Sequence, residues 1–209
     1  MDSDVWEYFI YTCQRILFFI LLLAALFGFF IGSCVNGQEF DGICRLSIDG
    51  KQWSGVAISK TRILTVAHHD ETGIVRAEFA EKQHGAFNRL GIQAKILKSN
   101  KLADLSLLEY NCPPWAAIKT YPVKRLKPAR VSIRGYVQLS PRDYSGDLVT
   151  DSASADGYNL LEIKTEAIGG MSGSGVFTDD GHVIGIQSCG GKESTFAADT
   201  ATIEEFIKE

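Results

Sequence analysis

The sequence predicts an all-β protein: two packed six-stranded antiparallel β-barrels with a short C-terminal helix, preceded by an N-terminal transmembrane helix. Three observations carry that expectation. Short runs rich in β-branched and aromatic residues, broken by turn residues, recur in two sets from residue 43 onward. A proline-containing stretch, with Pro113, Pro114 and Pro122, divides the sets, and proline cannot donate to a central ladder. One long uncharged run stands apart near the N-terminus. The 209 residues, 45% hydrophobic and 22% charged, suffice for one medium domain or two small ones with a real core.

The uncharged run is Ile16–Val35, ILFFILLLAALFGFFIGSCV, 20 residues and about the length of a membrane-crossing helix. The residues before it are acidic (Asp2, Asp4, Glu7), and the run is longer than the apolar stretch of a signal peptide, so a retained anchor is the expectation. The rival readings are a buried core helix and a lipoprotein-type cleavage that leaves a lipidated Cys34. Arg15 precedes the run and no Lys or Arg follows until Arg45, which places the N-terminus in the cytoplasm and the rest on the other side. The division expected is a tail 1–15, a single-pass anchor 16–35, a linker 36–42 and one domain 43–209.

Within that domain the first barrel spans about 43–112, from strands at 43–48, 53–59, 62–67, 73–80, 91–99 and 105–110. The second spans about 128–209, from strands at 130–137, 146–150, 159–166, 173–178, 182–188 and 194–199. Thr202 with Glu205 three places on signals a capping box for the closing helix.

A net charge of −4, with no basic cluster, argues against nucleic acid as a partner. The five cysteines form no CxxC pair, so neither a zinc site nor a disulfide framework is announced. One bridge among Cys44, Cys112 and Cys189 stays open in an oxidising compartment.

Three short segments carry chemistry. LTVAHH (64–69) ends a strand with His68 and His69; LADLSLL (102–108) sets Asp104 before a strand; GGMSGSGVF (169–177) sets Ser172 among glycines. A serine hydroxyl needs an adjacent base to attack at neutral pH, and the base needs an acceptor that fixes its tautomer. His68, Asp104 and Ser172 meet those needs in that order. A tight glycine turn can also aim the amides of Gly170 and Ser172 at a developing oxyanion. A G-x-S-x-G hydrolase elbow would require Gly where Ser174 stands, with its histidine after the serine. Metal binding by His68, His69 and Asp70 is disfavoured, because neighbours on a strand point to opposite faces.

These segments resemble the T-x-A-H, D-φ-x-φ-φ and G-x-S-G signatures (φ apolar) of chymotrypsin/trypsin-fold serine proteases. The spacing, 36 residues from His68 to Asp104 and 68 from there to Ser172, is similar to that of compact Deg/HtrA-type or viral trypsin-like peptidases. The resemblance covers roughly residues 43–209 and implies a serine endopeptidase that works through an acyl-enzyme on a protein or peptide substrate, without cofactor or metal; the uncharged run 16–35 would anchor it to a membrane. It puts His68 as base, Asp104 as its orienter, Ser172 as nucleophile, and Gly170 and Ser172 at the oxyanion. His69 falls where the family has Cys or Val, and Met171 where digestive members carry Asp. By register, Glu166 falls where the primary pocket holds its selecting residue, which would favour Lys or Arg at the cleaved bond, and Ser188, Cys189 and Gly190 form the edge that pairs with the substrate backbone. The alternative is a pseudoprotease that keeps the fold and grips peptide without cutting it.

Overall fold

The computed structural model describes residues 38–69, 73–81, 88–138, 140–155 and 158–208. All but the first of these residues fall in one compact unit, Glu39–Glu209. The proposed anchor 16–35 and Cys34 lie outside the described residues. Among those described, no helix is long and apolar enough to cross a membrane.

Barrel one is built from β1 (Gln38–Ile48), β2 (Lys51–Ser59), β3 (Arg62–Thr65), β4 (Ile74–Glu81), β5 (Arg89–Asn100) and β6 (Leu105–Tyr110). The strand order is β2-β3-β6-β5-β4-β1, closed by the β1–β2 pairing, and β7 (Ala116–Ile118) adds onto β1. Barrel two, from β8 (Arg130–Val137), β9 (Ser140–Ala155), β10 (Tyr158–Lys164), β11 (Gly175–Phe177), β12 (Val183–Gly190) and β13 (Thr195–Asp199), closes in the order β10-β13-β12-β11-β8-β9. Helix α1 (Thr200–Lys208) ends the chain's described part. The two six-stranded antiparallel barrels and the C-terminal helix are as the strand pattern predicts.

Apolar residues that reach a core, near alternation in β8 and in nearly unbroken buried runs in β2, β6 and β12, explain why these segments are strands. Leu46, Val56, Ile63, Phe79 and Leu108 are buried in the first barrel's core, and Val131, Ile133, Ile163, Val176 and Ile184 in the second's. Burying each such side chain contributes about 1.5–3 kcal/mol. The first core does not stop at its barrel: it takes in Tyr136, Phe177, Val183 and Ile186, so apolar packing runs through the seam between the barrels.

Two expectations need correction. Residues 38–42, read as linker, are the start of β1, because Phe40 is buried, its carbonyl accepts from Lys119 N–H at 2.9 Å, and Tyr121 OH donates to Asp41 at 2.7 Å. The helix cap is Asp199 rather than Thr202: Asp199 Oδ1 accepts from the Thr202 amide at 2.8 Å, the geometry of an N-cap. Thr202 instead donates its hydroxyl to the Asn159 carbonyl at 3.3 Å. Cys44, Cys112 and Cys189 are all free thiols, so the open disulfide does not form among them.

Candidate active site

Asp104 sits in the turn that feeds β6, with φ of 51°, a left-handed conformation that Asp tolerates better than most residues. Asn100 shapes that turn by accepting from the Leu102 and Ala103 amides at 3.0 Å each. The resulting carboxylate faces the end of β3. Its Oδ1 accepts from the amides of Ala67 (3.0 Å) and His68 (2.8 Å), and its Oδ2 lies 2.7 Å from His68 Nδ1. The backbone contacts fix the segment that carries the imidazole, while the ring contact fixes its tautomer with Nδ1 protonated. Burial pushes the Asp104 carboxyl up, but hydrogen bonds from His68 and Ser188 and the charge of His68 outweigh it and hold the carboxyl below the ordinary aspartate range.

Lys101 also donates to the Ala67 carbonyl. His69 turns back toward the barrel. Its ring lies 5.2 Å from that of Trp53, which is only 1% exposed, and 4.3 Å from the His68 ring. His68 itself keeps 40% of its side chain exposed, so one imidazole edge is open to a ligand while the other is held.

Ser172 comes from the other barrel, in the turn before β11. Gly170 and Gly173 flank it with φ of 92° and 81°, conformations that glycine alone adopts without strain. The Ser172 carbonyl accepts from Ser54 N–H at 2.8 Å, and the Gly173 amide donates to Gln187 O at 2.8 Å, pinning the turn to β2 on one side and β12 on the other. The Met171 amide donates to Ile168 O at 3.2 Å. The amides of Gly170 and Ser172, either side of it, have no acceptor among the described residues. Two free donors around a serine are what an oxyanion requires.

The Ser172 hydroxyl donates to the Ser188 carbonyl at 3.5 Å, a long contact, rather than to His68. Ser188 closes the circuit, because its own hydroxyl donates to Asp104 Oδ2. Thus His68, Asp104 and Ser172 come together through one residue of β12. The sequence reading put Ser188 on the substrate edge and missed this second task. No local motif announces it, since the contact spans 84 residues and both barrels. Cys189 and Gly190 continue the β12 edge and are exposed, and Glu166 is exposed on the segment between β10 and β11. Met171 is fully buried, against Ser174.

Two closed barrels with a His–Asp pair on one and a serine in a glycine turn on the other define a trypsin-like peptidase fold of serine-protease type. The chain belongs to the family described as Trypsin-like peptidase domain, which it matches over residues 53–186. Among curated proteins none matches the chain. Among solved structures, the fold is similar to that of the MamO protease domain from Magnetospirillum magneticum, with a TM-score of 0.66 and 15% identity over 84% of this chain and 98% of that one. It is also similar to the human pathogenic astrovirus serine protease, with a TM-score of 0.56 and 17% identity over 76% of this chain and 88% of that one.

Proposed function

We propose that the chain is a serine endopeptidase anchored to a membrane by residues 16–35. The observation that carries the catalytic part is the run of contacts from His68 through Asp104 and Ser188 to Ser172, beside the amides of Gly170 and Ser172, which have no acceptor among the described residues. The substrate carbonyl enters between Ser172 Oγ and the amides of Gly170 and Ser172. As it does, the Ser172 hydroxyl leaves its long contact with the Ser188 carbonyl and turns to His68 Nε2. His68 accepts the proton as Oγ attacks, and Asp104 stabilises the imidazolium without taking the proton. His68 then gives that proton to the leaving amine, which frees the acyl-enzyme for hydrolysis by water. The anchor rests on the uncharged 20-residue run alone, and resistance of the full chain to alkaline extraction from membranes tests it.

The decisive experiment is labelling of the folded full chain with an alkyl fluorophosphonate, with peptide mapping to Ser172. Labelling together with a loss of hydrolysis of at least about 10³-fold in Ser172→Ala supports the reading. A folded chain that binds peptide yet resists the probe would replace it with the pseudoprotease.

A further inference from the structure

We propose that the seat for the substrate side chain next to the cleaved bond is shallow and takes only small residues, so that the chain cuts after Ala, Ser or Gly rather than after Lys or Arg. The inference rests on the peptidase reading above and names its substrate class. With the scissile carbonyl at Ser172 Oγ, its oxygen at the amides of Gly170 and Ser172, and the backbone along the Ser188–Gly190 edge, the side chain has one direction to go. It must enter the gap between that edge and the segment 165–170.

That gap is closed by bonded structure. The Ala167 amide donates to Gly191 O at 2.8 Å, and Thr195 Oγ1 donates to Thr165 O at 3.3 Å, so the two walls are tied at two points. The β12–β13 register sets Thr195 opposite Gly190, and Thr195 is fully buried. A Cβ added to Gly190 would stand 2.6 Å from the Ala167 methyl, 2.8 Å from Ser194 O and 2.9 Å from Thr195 Cα. The Gly190 backbone therefore already rests against Ala167, with no slot between them for a chain of methylenes. A lysine or arginine would have to break both wall-to-wall hydrogen bonds and displace the Ala167 methyl, whereas a methyl or hydroxymethyl group can rest above them. Well-packed surfaces resist such displacement. Glu166, the neighbour of Ala167, is exposed rather than buried at the end of a slot, where a counter-ion for lysine or arginine would have to stand.

The test is kcat/KM of the purified full chain on matched peptides that differ only at the residue before the cut: Gly, Ala, Ser, Leu, Phe, Lys and Arg. The expected result is a preference of at least about tenfold for Ala or Ser over Lys, Arg and Phe, the scale on which apolar pockets discriminate by size. Ala167→Gly should narrow the gap between Ala and Leu several-fold by removing the methyl that fills the seat. Thr195→Ser, which thins the floor while keeping its hydroxyl, should shift the profile the same way if Ala167→Gly does not fold. A wild-type preference for Lys or Arg, or profiles unmoved in both variants, overturns the inference while leaving fluorophosphonate labelling of Ser172 intact. Absence of labelling sinks the peptidase reading and this inference with it.

Discussion

The Ser188 hydroxyl of the second barrel donates to the Asp104 carboxylate of the first, so the acid that orients His68 is held from both sides of the seam. Hydrogen bonds to a charged acceptor contribute about 1.5–3 kcal/mol. Ser188→Ala should therefore let the Asp104 carboxyl rise toward its ordinary value and loosen the imidazole, lowering kcat by about tenfold or more. KM should change little, because the Ser188 backbone stays in place. Steady-state kinetics check the split, and Ser188→Thr, which keeps a hydroxyl, should recover part of the loss. A fall in KM-linked terms alone would remove Ser188 from the orienting role.

Asp104→Asn tests the carboxylate itself. An amide there can present Nδ1 of His68 with a donor instead of an acceptor, favouring the wrong tautomer, and activity should drop by about 10⁴-fold. The same variant has a stability signature with a defined sign. The native carboxyl lies below its unfolded value, so the charged form is preferred on folding. Its contribution is present in full above the unfolded value of about 3.9 and is lost as the pH falls through the lower native value. Urea midpoints should thus separate wild type from Asp104→Asn at pH 7 and draw together in the acid range. A gap that widens on acidification would contradict the assigned charge state.

The closest agreement between sequence and structure lies in short segments whose apolar residues all reach a core, whether in a nearly unbroken buried run as in β6 or near alternation as in β8. LSLLEY is β6 and RVSIRGYV is β8, each residue for residue, because every apolar position in them meets a core. The first strand was misjudged where its pairing is non-local: Gln38–Gly42 carry one buried aromatic, and the contacts that hold them come from residues 119 and 121. β9 outgrew its expected bounds at both ends for the same kind of reason, since its partners β8 and β10 extend the ladder past the apolar positions 146–150. The candidate residues His68, Asp104 and Ser172 were legible because each lies within three residues of a strand end, next to a characteristic neighbour. Ser188 as a partner of Asp104 was not, because a contact between barrels leaves no periodic trace in either segment.

Glu78 sits in β4 with Arg45 bonded to it, Arg76 Nε at 2.9 Å and Arg89 at 3.5 Å. Burial raises its carboxyl, but Arg45, followed by Arg76 and Arg89, more than reverses that. The Arg45 side chain is only 11% exposed, so removing the carboxylate strands a half-desolvated guanidinium on the barrel wall. Glu78→Ala should cost about 3 kcal/mol, the low end for breaking a buried pair, with the loss of Arg76 adding little because that side chain is largely in water. Chemical denaturation of the two proteins at neutral pH checks the value. A change within about 0.5 kcal/mol, the range of ordinary surface substitutions, would show the network to be energetically idle.

Gly173 and Gly181 have almost the same backbone, φ of 81° and 82°, but different surroundings. A Cβ on Gly181 would meet nothing within 4 Å, so Gly181→Ala should cost only the left-handed backbone preference, about 1–2 kcal/mol. A Cβ on Gly173 would stand 2.0 Å from Ser54 O and 2.5 Å from Thr65 Oγ1, two atoms already joined by a 2.6 Å hydrogen bond. Neither can yield cheaply: one is backbone, and the other is fully buried in barrel one. Relief would require moving the turn away from β2, which breaks the Ser54 N–H to Ser172 O bond and re-aims the Ser172 hydroxyl. Gly173→Ala should therefore lose several kcal/mol more than Gly181→Ala, as overpacking does on top of backbone strain. It should also abolish fluorophosphonate labelling in whatever fraction stays folded, while Gly181→Ala labels like wild type. Equal melting temperatures for the two variants would mean that the barrels are not in contact through this turn.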